Sequence, residues 1–206
     1  MAHSDEAEKY SAAAFATKHE DAIYFSKRVT RAVPDGGPIE AHTDLVKKLD
    51  YECELAVVLG RDARDVPAGQ TRDYIFGYTI LNDVSARDVQ TAHKQWYFGK
   101  SLDGFTPIGP CIVTADAFAD YPPRLGIRSF VNGEKRQDSN TALQIFDIDH
   151  VIAELSQGMT LKAGTIIATG TPAGVGMGMD PPQFLKPGDV VRCEIEGIGT
   201  LTNPVK

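Results

Sequence analysis

Two glutamates separated by a single residue, Glu52 and Glu54 in YECELAVVLG, are the first residues whose spacing could do chemistry. On a β-strand, side chains two apart project from the same face, so both carboxylates would stand close together. Like charges so placed repel, and burial raises their pKa values unless a cation compensates them. Asp83 closes the next strongly β-forming run, in ILND, and could reach the same point. Three carboxylates converging with only oxygen ligands suit a hard cation such as Mg2+ or Mn2+. The same spacing also describes a solvated strand face, and spacing alone leaves both readings open. Lys100 in GKSLD, taken by itself, is a surface lysine with its charge in water. Beside three carboxylates it would balance their excess charge and could hold a substrate oxyanion. Arg87 and Asp88 follow the third carboxylate directly and read as a local ion pair. The Gly-rich TGTPAGVG lacks the GxxxxGK[ST] spacing, and no clear helix opens behind it, so a phosphate cradle is unsupported.

These groups need strands to hold them. YECELAVVLG alternates at first, with Tyr51, Cys53 and Leu55 on the face opposite Glu52 and Glu54. DYIFGYTILND (73–83) and PIGPCIVT (107–114) read as further strands, AIYFSK (22–27) as a short β-rich run, and 85–93 as helical or turn-like. Asn132-Gly133, between IRSFV and EKRQ, predicts a tight hairpin. One helix is well marked, with Asp149 as N-cap, HVIAELSQ as body and Gly158 as its stop. The polar, Ala-rich residues 1–22 read as another. LKAGTIIATG and LKPGDVVRCE are each a Gly turn feeding a β-branched strand. Strands outnumber helices without regular alternation, which argues against a doubly wound sheet. No linker divides the chain.

The chain of 206 residues is 42% hydrophobic and 24% charged, an ordinary globular composition that excludes wholesale disorder. Its net charge of −7 comes without any Lys/Arg-rich run, so no nucleic-acid partner is expected. Cys53, Cys111 and Cys193 are odd in number and widely spaced, and all three sit in apolar or strand-like stretches, as free buried thiols of a reduced cytoplasmic protein do. The longest apolar runs resemble LAVVL (55–59), far short of the ~20 residues of a membrane span, and MAHSDEAEKY does not resemble a signal peptide. No membrane partner is expected.

Across residues 50–205 the sequence resembles the fumarylacetoacetate hydrolase superfamily in its compact single-domain form. The resemblance is carried in family order by DYECELAVVLGRDARDV, FGYTILNDVSARDVQ, GKSLDGFTPIGP, VNGEKRQDSNT and ATGTPAGVG. It implies an α+β, β-dominated fold, the mixed β-roll of that family's C-terminal domain. A single catalytic domain would span 1–206, with a helical lid segment over 1–22 and the metal-binding core over 50–205. The resemblance further implies that Glu52, Glu54 and Asp83 ligate Mg2+, or alternatively Mn2+, with Lys100 beside them as a catalytic group. Gln90, Arg87, Gly170 and Thr171 would face the substrate. His3-x-x-Glu6 resembles the family's H-x-x-E pair on a closing lid, where His deprotonates a water with Glu behind it. Ser26-Lys27 resembles the FxKP strand that follows the lid, although Arg28 replaces the Pro and the usual upstream Asn-Tyr is absent. The implied activity is hydrolysis of an acylpyruvate-like 1,3-diketo acid, a small-molecule 2-oxo acid substrate, by a homodimer. Oxaloacetate-type decarboxylation and isomerisation of a 2-hydroxy-dienoate use the same metal site and are the alternatives. A non-catalytic, metal-dependent binding relative is the rival of another class.

Overall fold

Strand-forming residues in the middle of the chain build the platform for the acidic groups. The computed structural model describes residues 21–206, so His3, Glu6 and nearly all of the expected lid helix lie outside the described residues. The strands in chain order are β1 (Leu49–Asp50), β2 (Cys53–Leu59), β3 (Ile75–Asn82), β4 (Ser85–Ala86), β5 (Ile108–Thr114), β6 (Gly126–Val131), β7 (Glu134–Asn140), β8 (Ile166–Ala168), β9 (Val190–Ile195) and β10 (Gly199–Pro204). Among the described residues three short α-helices join them, α1 (Arg87–Ala92), α2 (Tyr97–Lys100) and α3 (Ile148–Leu155).

One four-stranded sheet has the order β5-β3-β2-β8 and a second the order β10-β9-β6-β7, while β1 and β4 form a small ribbon. Every ladder between these strands is antiparallel. Among the described residues, parallel pairing is confined to isolated bridges such as Val33–Pro107 and Ile39–Val205. β2 is buried along its whole length, and its register on β3 pairs Cys53 with Asn82 and Glu54 with Leu81. The core lies between the sheets, with Leu55, Val57, Tyr78 and Ile80 from the first and Ile127, Val191, Cys193 and Leu201 from the second. Ile148 and Ile152 of α3 join it. The fold is α+β and β-dominated, as expected. The Asn132-Gly133 hairpin also forms, with positive φ at both residues (53° and 84°), the backbone that a two-residue turn between twisted strands requires.

Three expectations are corrected. The N-cap of α3 is Asp147, whose carboxylate accepts the His150 N–H at 2.8 Å. Asp149 lies inside the first turn and binds Thr71 Oγ1 and the Gly69 N–H instead. Residues 22–27 form no strand. They are held by side chains rather than a ladder: Tyr24 donates to Glu154, Phe25 meets the Trp96 ring edge-on, and Lys27 pairs with Asp83. Cys53 and Cys193 are buried thiols, but Cys111 is exposed because β5 is an edge strand with most of its side chains open to solvent.

Candidate metal centre

Glu52 precedes β2 and Glu54 lies within it, so the pleat directs both carboxylates to one side. Asp83 leaves the end of β3, held there as its N–H donates to Glu52 O at 2.8 Å. One oxygen from each of Glu52, Glu54 and Asp83 lies within 4.8 Å of the others, and all three residues are buried. The strand-face geometry expected from the spacing is therefore present, and the solvated-face alternative is not.

Lys100 is not a surface lysine. It is 2% exposed, with Nζ 2.7 Å from Glu52 Oε2 and 2.6 Å from Asp83 Oδ2. α2 can bring it there because Gly99 packs directly on α1, where a Cβ would stand 2.6 Å from Gln90 N. Lys27 Nζ meets the other oxygen of Asp83 at 2.6 Å. Arg87 does not pair with Asp88, whose carboxylate accepts the Lys47 N–H. Opening α1, Arg87 turns inward, with Nε 2.9 Å from Asp50 Oδ2 and Nη1 2.6 Å from Glu52 Oε1. Nη1 also reaches Gln90 Oε1 at 3.3 Å. Gly170, at φ 95°, directs its N–H to Glu54 Oε2 at 2.8 Å. Thr171 stands behind the ligand strand, where its hydroxyl donates to Cys53 O at 3.0 Å and accepts from Gln137 Nε2 at 2.7 Å.

These contacts divide the three carboxylates electrostatically. Burial works to raise Glu52, but the Lys100 and Arg87 charges outweigh it and hold the group below the usual carboxylate range. At Asp83 burial again works upward, and Lys100 and Lys27 together bring it well below that range. Burial opposes the charge of Lys100 too, yet Asp83 and Glu52 raise its pKa above the ordinary lysine value. Burial lowers Lys27, and Asp83 only partly offsets this. Glu54 differs from its neighbours. Burial, then the charges of Asp83 and Glu52, push it up to about 8. Among the described residues no cation pairs with it, and its carboxylate accepts the neutral Gly170 N–H. A divalent cation among the three oxygens would supply the charge that Glu54 lacks, and an all-carboxylate donor set of this kind fits a hard ion.

Lys27, Glu54 and Asp83 stand on the wall of a cavity of about 470 Å3. Its remaining lining is mainly apolar, including Leu81, Ile108, Val151 and Ile167. Among the described residues, Lys27 is the ammonium on that wall, whereas Lys100 is sealed behind it. The structure thus gathers Glu52, Glu54, Asp83, Lys100, Arg87, Gln90, Gly170 and Thr171 around one point, while His3 and Glu6 lie outside the described residues. Three further participants were not singled out by spacing: Lys27, Asp50 and Gln137. Lys27 carried the FxKP likeness, and Asp50 opens the matched DYECEL block. Gln137 offered no local signal, because it reaches the site from β7 of the other sheet.

Comparison with known proteins gives the family. A family model described as fumarylacetoacetate (FAA) hydrolase C-terminal matches residues 1–206. The chain is 45% identical over 186 residues to the oxaloacetate tautomerase YisK of Bacillus subtilis, covering 90% of this chain and 62% of that protein. The structure of a fumarylacetoacetate hydrolase from psychrophilic Exiguobacterium antarcticum gives a TM-score of 0.81 at 52% identity, over 84% of this chain and 62% of that one. A 2-hydroxyhepta-2,4-diene-1,7-dioate isomerase from Mycobacterium marinum gives 0.80 at 43% identity, over 91% and 70%. The chain therefore spans 62% of the length of the curated tautomerase that it matches. With the matched region running through the carboxylate triad and both sheets around it, this chain belongs to the fumarylacetoacetate hydrolase family.

Proposed function

We propose that this protein is a Mg2+-dependent enzyme that draws a short 2-oxo acid toward its enolate. The observation that carries this reading is the buried triad of Glu52, Glu54 and Asp83 with the Lys100 ammonium wedged between two of its members. The triad would hold the cation, which when bound supplies a Lewis acid to the 2-oxo carbonyl. Lys100 keeps Glu52 and Asp83 ionised and aimed inward. Lys27, on the cavity wall, offers ammonium donors to negative charge developing on substrate oxygen. Gln90 would contact the polar end of the substrate, with Arg87 bracing Gln90 and Glu52 behind it. The Gly170–Thr171 turn holds Glu54 and the Cys53 peptide in place beside it. The apolar remainder of the cavity receives the chain of the acid and limits water around it. Phe76 and Ile112, half-exposed on neighbouring strands of one sheet, support a homodimer as the working form. Among the described residues no helix is long and apolar enough to cross a membrane.

Hydrolysis of an acylpyruvate-like 1,3-diketo acid needs one further element, a base for the attacking water. His3 with Glu6 behind it would be that pair. A second reading, keto–enol tautomerisation of an oxaloacetate-like acid, is favoured by the 45% identity to the oxaloacetate tautomerase. It requires proton transfer but no attacking water.

Turnover of acylpyruvates and of oxaloacetate, with and without EDTA, on wild type and His3→Ala, tests both. Activity that survives complete metal removal would end the metal-dependent reading. His3→Ala should lower acylpyruvate hydrolysis by roughly 10²–10⁴-fold, the cost of losing a general base, and affect oxaloacetate far less. Equal acylpyruvate activity in the two proteins would remove His3 from the mechanism. Oxaloacetate turnover without acylpyruvate hydrolysis would leave tautomerisation or decarboxylation as the reading.

A further inference from the structure

Cys53 separates two proposed metal ligands, so the path of its peptide sets how far apart Glu52 and Glu54 stand. A neighbouring strand would normally hold such a peptide, but β8 pairs with β2 only over Ala56–Val58, extended as far as Leu55 by the Thr169 N–H. At Cys53 two side chains take the place of that strand. Its N–H donates to Gln137 Oε1 at 3.1 Å, and its carbonyl accepts from Thr171 Oγ1 at 3.0 Å. Gln137 Nε2 then donates to Thr171 Oγ1 and to Pro172 O, both at 2.7 Å.

The chemistry of the partners decides the orientation of the amide. A peptide N–H can only donate and a carbonyl can only accept, so Oε1 must face Cys53 and Nε2 must face Pro172. Gln137 has no exposed surface, and its amide joins β7, the ligand strand and the Gly170–Pro172 loop. That loop in turn supplies the Gly170 N–H on Glu54. An apolar side chain of similar size would fill the same space without fixing any of these groups.

We infer that Gln137 is a positioning residue for the metal centre, setting the spacing of Glu52 and Glu54 and anchoring the loop that holds Glu54. This inference rests on the metal reading proposed above. Groups that orient metal ligands from behind characteristically contribute about 10–100-fold to metal affinity. Gln137 orients Glu52 and Glu54 through the Cys53 peptide and the Gly170–Pro172 loop, so a change there should be read in that affinity.

The experiment is calorimetric titration of Mg2+ into the metal-stripped full chain at 25 °C, for wild type, Gln137→Met and Gln137→Glu, with melting temperatures recorded without metal. Gln137→Met should weaken Mg2+ binding by about tenfold or more. Gln137→Glu keeps an acceptor for the Cys53 N–H and, when protonated, one donor, so its affinity should fall between the other two. If Gln137→Met lowers the melting temperature but binds Mg2+ as tightly as wild type, Gln137 serves only stability and the inference is overturned. Should the Met variant not fold, wild-type affinity in Gln137→Glu overturns it equally. A wild type that binds no Mg2+ defeats the metal reading itself, and this inference with it.

Discussion

Arg87 Nε lies 2.9 Å from Asp50 Oδ2, and Asp50 has no exposed surface. The same carboxylate accepts the N–H groups of Tyr51 at 2.9 Å, Gly176 at 2.7 Å and Met177 at 2.9 Å. Asp50 thereby ties the 176–177 loop to the guanidinium that clamps Glu52. These donors surround its charge, and Arg87 joins it to the centre.

Asp50→Asn keeps the shape of the side chain but removes the charge opposite a buried guanidinium. Loss of one partner of a buried pair typically costs about 3–5 kcal/mol. Urea unfolding should show a loss of that order. A variant within about 1 kcal/mol of wild type would mean that this link contributes little to the fold.

Glu54→Gln removes a proposed ligand without changing side-chain volume. Wild type should gain about 2.7 kcal/mol of stability when Mg2+ stands at one hundred times its Kd. The variant should lose that gain together with turnover. Retention of both, measured by thermal melts and by 2-oxo acid assays, would remove Glu54 from the metal site.

The metal-stripped protein should also report Glu54 through pH. Its folded pKa of about 8 lies above the ordinary carboxylate value of 4.5, so the folded chain holds this proton more tightly than the unfolded chain does. The resulting stability is fully present below the unfolded pKa and is lost as pH rises toward about 8. With EDTA present, wild type should therefore lose stability relative to Glu54→Gln across that window. Parallel stability curves for the two proteins would show that Glu54 ionises normally.

Cys53 occupies the same peptide that Gln137 and Thr171 hold, yet its side chain is fully buried in the core cluster. Cys53→Ala should therefore cost on the order of 1 kcal/mol of stability and leave the Mg2+ affinity in place. A large fall in turnover at unchanged melting temperature would place the thiol on the wrong side of β2.

The strand faces around the carboxylates were legible from order alone. A period of two is a local property of extended backbone, so Glu52 and Glu54 had to share one side and Cys53 the other. The Asn132-Gly133 turn was legible for the same reason, since positive φ at two consecutive positions is a demand on residue type. Asp83, at the end of the next strand, could be named as a candidate third carboxylate from the sequence, but its meeting with the glutamates depends on the β2–β3 register, which no local rule specifies. The partners of the charged side chains were decided by tertiary structure. Arg87 has an acidic neighbour in Asp88, and adjacency suggested a local ion pair, but folding offered it the desolvated carboxylates of Asp50 and Glu52. Lys100 reads as a solvated lysine until Gly99 lets α2 close on α1 and carries the ammonium between Glu52 and Asp83. Gln137 lies 84 residues from Cys53 in the chain, and only the packing of the two sheets puts its amide on that peptide. Sequence thus determined which groups could face together, because that follows from backbone geometry over two or three residues. Which charges neutralise one another depends on contacts between distant segments in a medium of low polarity, and that was settled only when the sheets came together.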